Sequence, residues 1–167
     1  MSYTFSQGLN VTNLGTQQII DWMKRRKETV KIQNVESDRA YQRHDIDLIW
    51  ITQANVNLIE IKVDRYAQTG NFFFEVLSNK EKNTPGCFMY TKATLLFYYF
   101  LETKMLYALP MPEVRDWFVK RQTLFPERST TTPIRNGAGY YTTVGRLVPI
   151  IKIVQDVPSI RRICLLS

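Results

Sequence analysis

The sequence predicts an α/β domain, and a few local patterns carry that expectation. Thr16, Ile19, Ile20 and Met23 recur at helical spacing near the start of the chain. "HDIDLIWIT" alternates with the period of a strand, and "LIEIKV" returns after the turn-like "QANVN", as in a hairpin. Strand-like and helix-like stretches then follow in mixed order, which suits one mixed sheet flanked by helices.

Taken in order, "NLGTQQIIDWMKRRKETV" is the first helix, capped by Asn13 or Thr16. Lys24, Arg25, Arg26 and Lys27 close it, where cations suit the helix dipole or a phosphate. "TVKIQNV" is a short strand. In the hairpin, Ile46, Leu48 and Trp50 share one face, and Asp45, Asp47, Ile49 and Ile51 the other. "TGNFFFEVLS" is a third strand and "NKEKNTPG" a loop. "YTKATLLFYYFLETK" is apolar almost all round and is expected to be a central second helix, capped by Thr91. "MLYALP" is a strand. "PEVRDWFVKRQ" is a third helix with Pro112 in its first turn. A long polar loop is expected at about 126–142. "RLVPIIKIV" is expected to be a last strand, at an edge because Pro149 would break a central ladder. A C-terminal tail begins at about 157. With 167 residues, the chain is the size of a single domain, 1–167.

Composition bounds the function. Hydrophobic residues make up 44% and charged residues 22%, enough for a core and unlike a disordered chain. The net charge of +7 favours a polyanionic partner, with nucleic acid ahead of a membrane surface. Cys87, Cys164 and the lone His44 lack zinc-type spacing and do not suggest a disulfide scaffold. A reducing cytoplasm is therefore the default expectation. "MSYTFSQGLN" lacks the charged and apolar regions of a signal peptide. The apolar run "ATLLFYYFL" is too short to span a membrane.

The chemistry concentrates in "LIEIKV". Residues two apart on a strand share a face, so Glu60 and Lys62 point the same way while Ile59, Ile61 and Val63 go to the core. Asp47 on the preceding strand joins them if the register is right. Two adjacent carboxylates are costly unless neutralised. Mg²⁺ takes oxygen ligands, needs only one or two protein carboxylates and keeps several waters. The Ile61 carbonyl is a further candidate ligand. Asp45 competes with Asp47, and Asp47 lies nearer the apolar middle. Lys62 is suited to holding an attacking water or stabilising charge on a phosphorane.

Asp47 followed by Glu60-Ile61-Lys62 resembles the PD-(D/E)xK nuclease superfamily. "TGNFFFEVLSN", the later "G…YTKAT…YY" and "GRLVPI" are similar to a phage and bacterial subgroup of it. The similarity runs loosely over about residues 14–151, and the proline of the usual Pro-Asp is missing. The resemblance implies a restriction-endonuclease-like fold: a mixed β-sheet flanked by helices, in helix–strands–helix–strand order. It implies a Mg²⁺-dependent endonuclease acting on DNA, with Mn²⁺ able to substitute, in the cytoplasm of a bacterial or phage-infected cell. Asp47, Glu60 and Ile61 would hold the metal, and Lys62 would assist the chemistry. Glu75 stands where the subgroup commonly carries a glutamate; where many members carry one on the first helix, this chain offers Gln17, Gln18 or Asp21, and Gln18 in that place would assist as a ligand or hold a metal-bound water. Thr91, Lys92, His44, Arg128 and Arg135 are candidate DNA contacts, with Tyr140 and Tyr141 beside the last two. A homodimer would let two sites cut two strands, with the second helix and "VPSIRRICLLS" as its candidate interface. No base-reading helix is evident, so cutting should be structure-selective or weakly specific. The glutamine-bearing helix supports an alternative: a non-catalytic nucleic-acid-binding or interaction protein that keeps the fold.

Overall fold

A computed structural model describes residues 5–133 and 139–166 of the chain. In chain order its elements are α1 (Phe5–Lys24), β1 (Thr29–Asn34), α2 (Arg39–Gln42), β2 (Leu48–Thr52), β3 (Val56–Asp64), β4 (Asn71–Asn79), β5 (Thr84–Pro85), α3 (Cys87–Tyr90), β6 (Leu95–Phe100), β7 (Met105–Pro110), α4 (Met111–Val119), β8 (Glu127–Pro133), β9 (Tyr140–Pro149), α5 (Ile150–Asp156) and β10 (Arg161–Cys164). The class is α/β, with a mixed sheet and several helices. The strands form two sheets, not the one expected, ordered β1-β2-β3-β6-β7-β10 and β5-β4-β9-β8. The chain divides into two compact units, the first Met1–Thr69, Lys92–Met111 and Ser159–Ser167, the second Gly70–Thr91 and Pro112–Pro158.

The first unit holds the six-stranded sheet. β1, β2 and β3 run antiparallel in succession, and β6 joins β3 in parallel. One face is covered by α1. Ile19, Trp22 and Met23 pack there with Leu48, Trp50, Ile59, Ile61, Phe97 and Tyr99. The Trp22, Trp50 and Phe97 rings meet edge-on, with centroids 5.9–6.4 Å apart, an arrangement that aromatic quadrupoles favour. Trp50 donates its indole N–H to the Thr29 hydroxyl, which donates to the Met23 carbonyl, so this aromatic corner buries no orphan donor. A smaller cluster of Val35, Ile46, Ile49 and Ala93 lies on other side chains of the same unit.

Gly15 of α1 lies against Val63 of β3. A Cβ there would lie 2.6 Å from both γ-carbons of Val63. Gly15→Ala is expected to push the helix off the sheet and destabilise the fold by about 1–3 kcal/mol. At ~2–4 °C per kcal/mol for a chain of this size, a thermal melt would register the change.

The second unit is built on aromatic packing. Phe72 and Phe74 alternate inward from β4, and Phe74 stacks on Phe88 with ring centroids 4.1 Å apart. Phe118 of α4 meets both Phe74 and Phe88 edge-on. Pro112 stands in the first turn of α4, as the sequence predicts.

Several expectations are corrected. The segment expected as a second helix is instead strand β6, and Thr91 does not begin a helix. An apolar run without alternation fits a buried helix or a strand buried on both faces equally well. Its six residues, rich in Phe and Tyr, form the strand. The expected polar loop instead holds β8 and the start of β9, which pair antiparallel. β8 is an edge strand whose Arg128–Thr131 stretch is exposed on both faces, so it carries no hydrophobic alternation to announce it. "RLVPIIKIV" is split and is not at an edge: β9 runs between β4 and β8, Pro149 is tolerated because it is the strand's last residue, and "IIKIV" opens α5. The tail is tied down as β10, antiparallel to β7. Ile46 leaves the Leu48–Trp50 face, because residues 43–47 are not strand and Asp45 turns the chain with a left-handed φ of 46°.

Candidate active site

β2 and β3 create the site by register. Leu48 pairs with Ile59 in the antiparallel ladder. Asp47 lies one residue before β2, and its carboxyl reaches that of Glu60 on β3. The backbone holds Asp47 on two sides: its N–H donates to the Ile59 carbonyl at 2.8 Å, and its carbonyl accepts from Val35 at 2.9 Å. Its side chain is held too, because Oδ2 accepts the Ile61 N–H at 2.8 Å.

β3 alternates as the sequence predicts. Ile59 and Ile61 are buried against α1, so Glu60 and Lys62 project from the opposite face. Both are partly buried. In the parallel pairing with β6, Glu60 lies beside Leu96 and Lys62 beside Tyr98. Asp64 extends the same row, and the Tyr98 hydroxyl donates to its carboxylate at 2.6 Å. Tyr98 and Asp64 are not among the residues the sequence points to. The i, i+2, i+4 series Glu60-Lys62-Asp64 carries a signal for Asp64, but reading residues 90–104 as a helix hides Tyr98.

The electrostatics are those of crowded acids. Burial raises the Asp47 carboxyl to about 6, assisted by the negative charges of Glu36 and Asp45 and opposed by the Ile61 N–H. Burial raises Glu60 further, to about 10, with Asp47 and Asp45 adding to the shift and the Lys62 charge opposing it. The two carboxyls are hydrogen-bonded to each other. Burial and mutual repulsion therefore favour a pair that keeps one proton between its two carboxyls.

The donor set fits a hard divalent cation. It offers two adjacent carboxylates and one backbone carbonyl, all oxygen. On an extended strand the N–H and C=O of one residue leave toward the same neighbour. The Ile61 carbonyl therefore leaves on the side where its N–H meets Asp47. Among the described residues, no group of three or more His, Cys, Asp and Glu side chains is gathered to hold a metal. The candidate set is the sparser one that Mg²⁺ accepts.

The other predicted residues fall partly in the first unit and partly in the second. His44 is exposed in the turn before Asp47, and its carbonyl accepts the N–H of exposed Lys92 at 2.9 Å. Gln18 is not brought to the carboxylates. Its Oε1 accepts from the Tyr99 hydroxyl at 2.6 Å and Lys104 Nζ at 3.3 Å, on the sheet face that α1 covers. There it lines a cavity of about 210 Å³ with Asp21, Arg25, Leu165 and others. Thr91 follows α3 as its C-cap in the second unit, where it is buried and its carbonyl accepts from Arg115. Glu75 and Arg128 also belong to the second unit, each opposite Gly145 in its own strand pair. Arg135 lies outside the described residues. The cations closing α1 are exposed, with Arg26 paired to Glu28 at 2.8 Å and its guanidinium 5.7 Å from the Trp22 ring.

No helix among the described residues is long and apolar enough to cross a membrane. Comparison of the chain with protein families, with curated proteins and with solved structures gives no match.

Proposed function

We propose that the chain is a metal-dependent endonuclease that hydrolyses DNA phosphodiesters, with Asp47, Glu60 and Lys62 at its centre. The observation that carries this reading is their arrangement: hydrogen-bonded Asp47 and Glu60 carboxyls, with Lys62 on the same face of the same strand as Glu60. The opening helix followed by a mixed sheet, and the net charge of +7, agree with it.

A divalent cation held by Asp47, Glu60 and the Ile61 carbonyl would supply Lewis-acid stabilisation and a more acidic water. The chain's own residues do the rest. Asp47, anchored through three hydrogen bonds to the backbone of neighbouring segments, fixes the position of the carboxylate pair. The pair must give up its shared proton before both carboxylates can ligate. Lys62 orients the attacking water and offers N–H donors to the phosphoryl oxygens as negative charge builds on them. Hydrolysis adds water across one P–O bond, and the leaving oxygen takes a proton.

Proton linkage gives one test. Titration of the wild-type chain with Mg²⁺ at pH 7.5, in buffers of different ionisation enthalpy, should release close to one proton per cation. Glu60→Gln should release none and bind more weakly. Wild-type binding without proton release would contradict the shared-proton site.

One observation favours a second reading, a non-catalytic DNA-binding protein. Gln18 is engaged by Tyr99 and Lys104, so it adds no ligand beside Asp47 and Glu60. That reading predicts DNA binding without cleavage in either metal.

A further inference from the structure

We infer that α2 and the turn after it form a rail for the DNA phosphate backbone, leading to the Asp47–Glu60 pair, with Arg39 and Arg43 as its principal contacts. The inference rests on the nuclease reading for the identity of the ligand.

Arg39 and Arg43 are four residues apart across one helical turn, so their side chains share a side of it. With Gln42 they line one open hollow. All three are exposed, as are His44 and Lys92. The Lys92 N–H bond to the His44 carbonyl ties Lys92 to this turn and adds a further cation. Among the described residues, no ion pair engages Arg39, Arg43 or Lys92. The acids nearest in sequence are Glu36 and Asp38 before Arg39, and the half-buried Asp45 two residues after Arg43. Asp38 is occupied as the α2 N-cap, accepting from Ala40 at 2.8 Å.

The turn is held in place. Gln42 donates to the Glu36 carbonyl at 2.8 Å, and His44 N–H donates to the Tyr41 carbonyl at 2.9 Å. Tyr41 packs against the cluster of Val35, Ile46 and Ile49. A fixed turn presents its cations without a large ordering cost on binding.

The rail also lies close to the carboxylates. Arg43 precedes Asp47 by four residues, so their Cα atoms lie within roughly 14 Å of each other. Successive phosphates of one strand advance about 3.4 Å along the duplex axis. A strand whose scissile phosphate sits at Asp47 and Glu60 thus carries other phosphates within reach of Arg43 and Arg39. Guanidinium groups bind phosphate oxygens in bidentate fashion. Such contacts read no bases, which agrees with weak sequence specificity.

The test is binding of a fluorescein-labelled DNA duplex to the full chain in EDTA, followed by anisotropy over a range of salt. Arg39→Ala/Arg43→Ala should weaken binding at least tenfold and flatten the slope of log K against log [salt] by about 2, near 0.9 per lost phosphate contact. Arg39→Lys/Arg43→Lys should keep most of the slope. Lys24→Ala/Lys27→Ala, at the end of α1, should leave it unchanged. Circular dichroism checks that each variant is folded. An unchanged slope in folded Arg39→Ala/Arg43→Ala would overturn the rail, and cleavage by the wild type would then leave the nuclease reading standing. The expected loss of slope in a protein that cuts no DNA would uphold the rail and sink the nuclease reading. A wild-type chain that binds no duplex even at low salt would overturn both.

Discussion

Glu60→Gln is expected to make the metal-free protein more stable while removing its cleavage activity. In the folded chain the Glu60 carboxyl is raised from 4.5 to about 10 and that of Asp47 from 3.8 to about 6. A raised acid is protonated more readily in the folded state than in the unfolded one. Its contribution to stability is complete below the unfolded value and is lost as pH rises through the folded one. The metal-free wild type should therefore lose stability from about pH 4 upward. The amide introduced by the substitution would keep a hydrogen-bond donor to Asp47 and can never ionise. The variant's Tm should exceed the wild type's at pH 8, by about 2–4 °C for each kcal/mol recovered, and the two should converge near pH 4. Cleavage should fall by roughly 10²-fold or more, because one of the two carboxylates is gone. Differential scanning calorimetry in EDTA and a plasmid-nicking assay read the two effects. A variant less stable than the wild type at pH 8 would contradict the crowded-acid account.

Lys62→Ala is expected to separate binding from chemistry. Lys62 opposes the raised proton affinity of Glu60 and shares its strand face. It stands on β3, apart in sequence from the exposed cations of α2 and its turn. Removing it should lower kcat by roughly 10²–10⁴-fold and leave duplex affinity within a few fold. Lys62→Arg should not restore the rate, because a planar fork replaces a compact ammonium. Single-turnover cleavage alongside anisotropy distinguishes this from a binding defect. Loss of both together would make Lys62 a DNA contact.

The site is more legible in the sequence than the fold around it. The alternation of Ile59, Ile61 and Val63 with Glu60 and Lys62 has only one strand reading once one face is buried. The short turn between β2 and β3 then brings Asp47, one residue before β2, beside Glu60. The place of Gln18 is not legible, because helical spacing says which residues share a face but not where a helix lies on its sheet. α1 sits on the face away from Glu60, and Tyr99 takes Gln18 there. β6 passes for a helix because burial on both faces erases the period that separates strand from helix. β8 passes for a loop for the opposite reason, since exposure on both faces erases that period equally. Tyr98, buried beside Lys62, emerges only once β6 is known to be a strand in parallel register with β3.

The most direct test of the Asp47–Glu60–Lys62 site is cleavage by the purified wild-type chain of supercoiled, linear, branched and single-stranded DNA, in Mg²⁺, Mn²⁺ or EDTA. The account predicts metal-dependent cutting of at least one form, absent in EDTA and abolished by Lys62→Ala. A protein that binds DNA yet cuts none of these forms in either metal would contradict it.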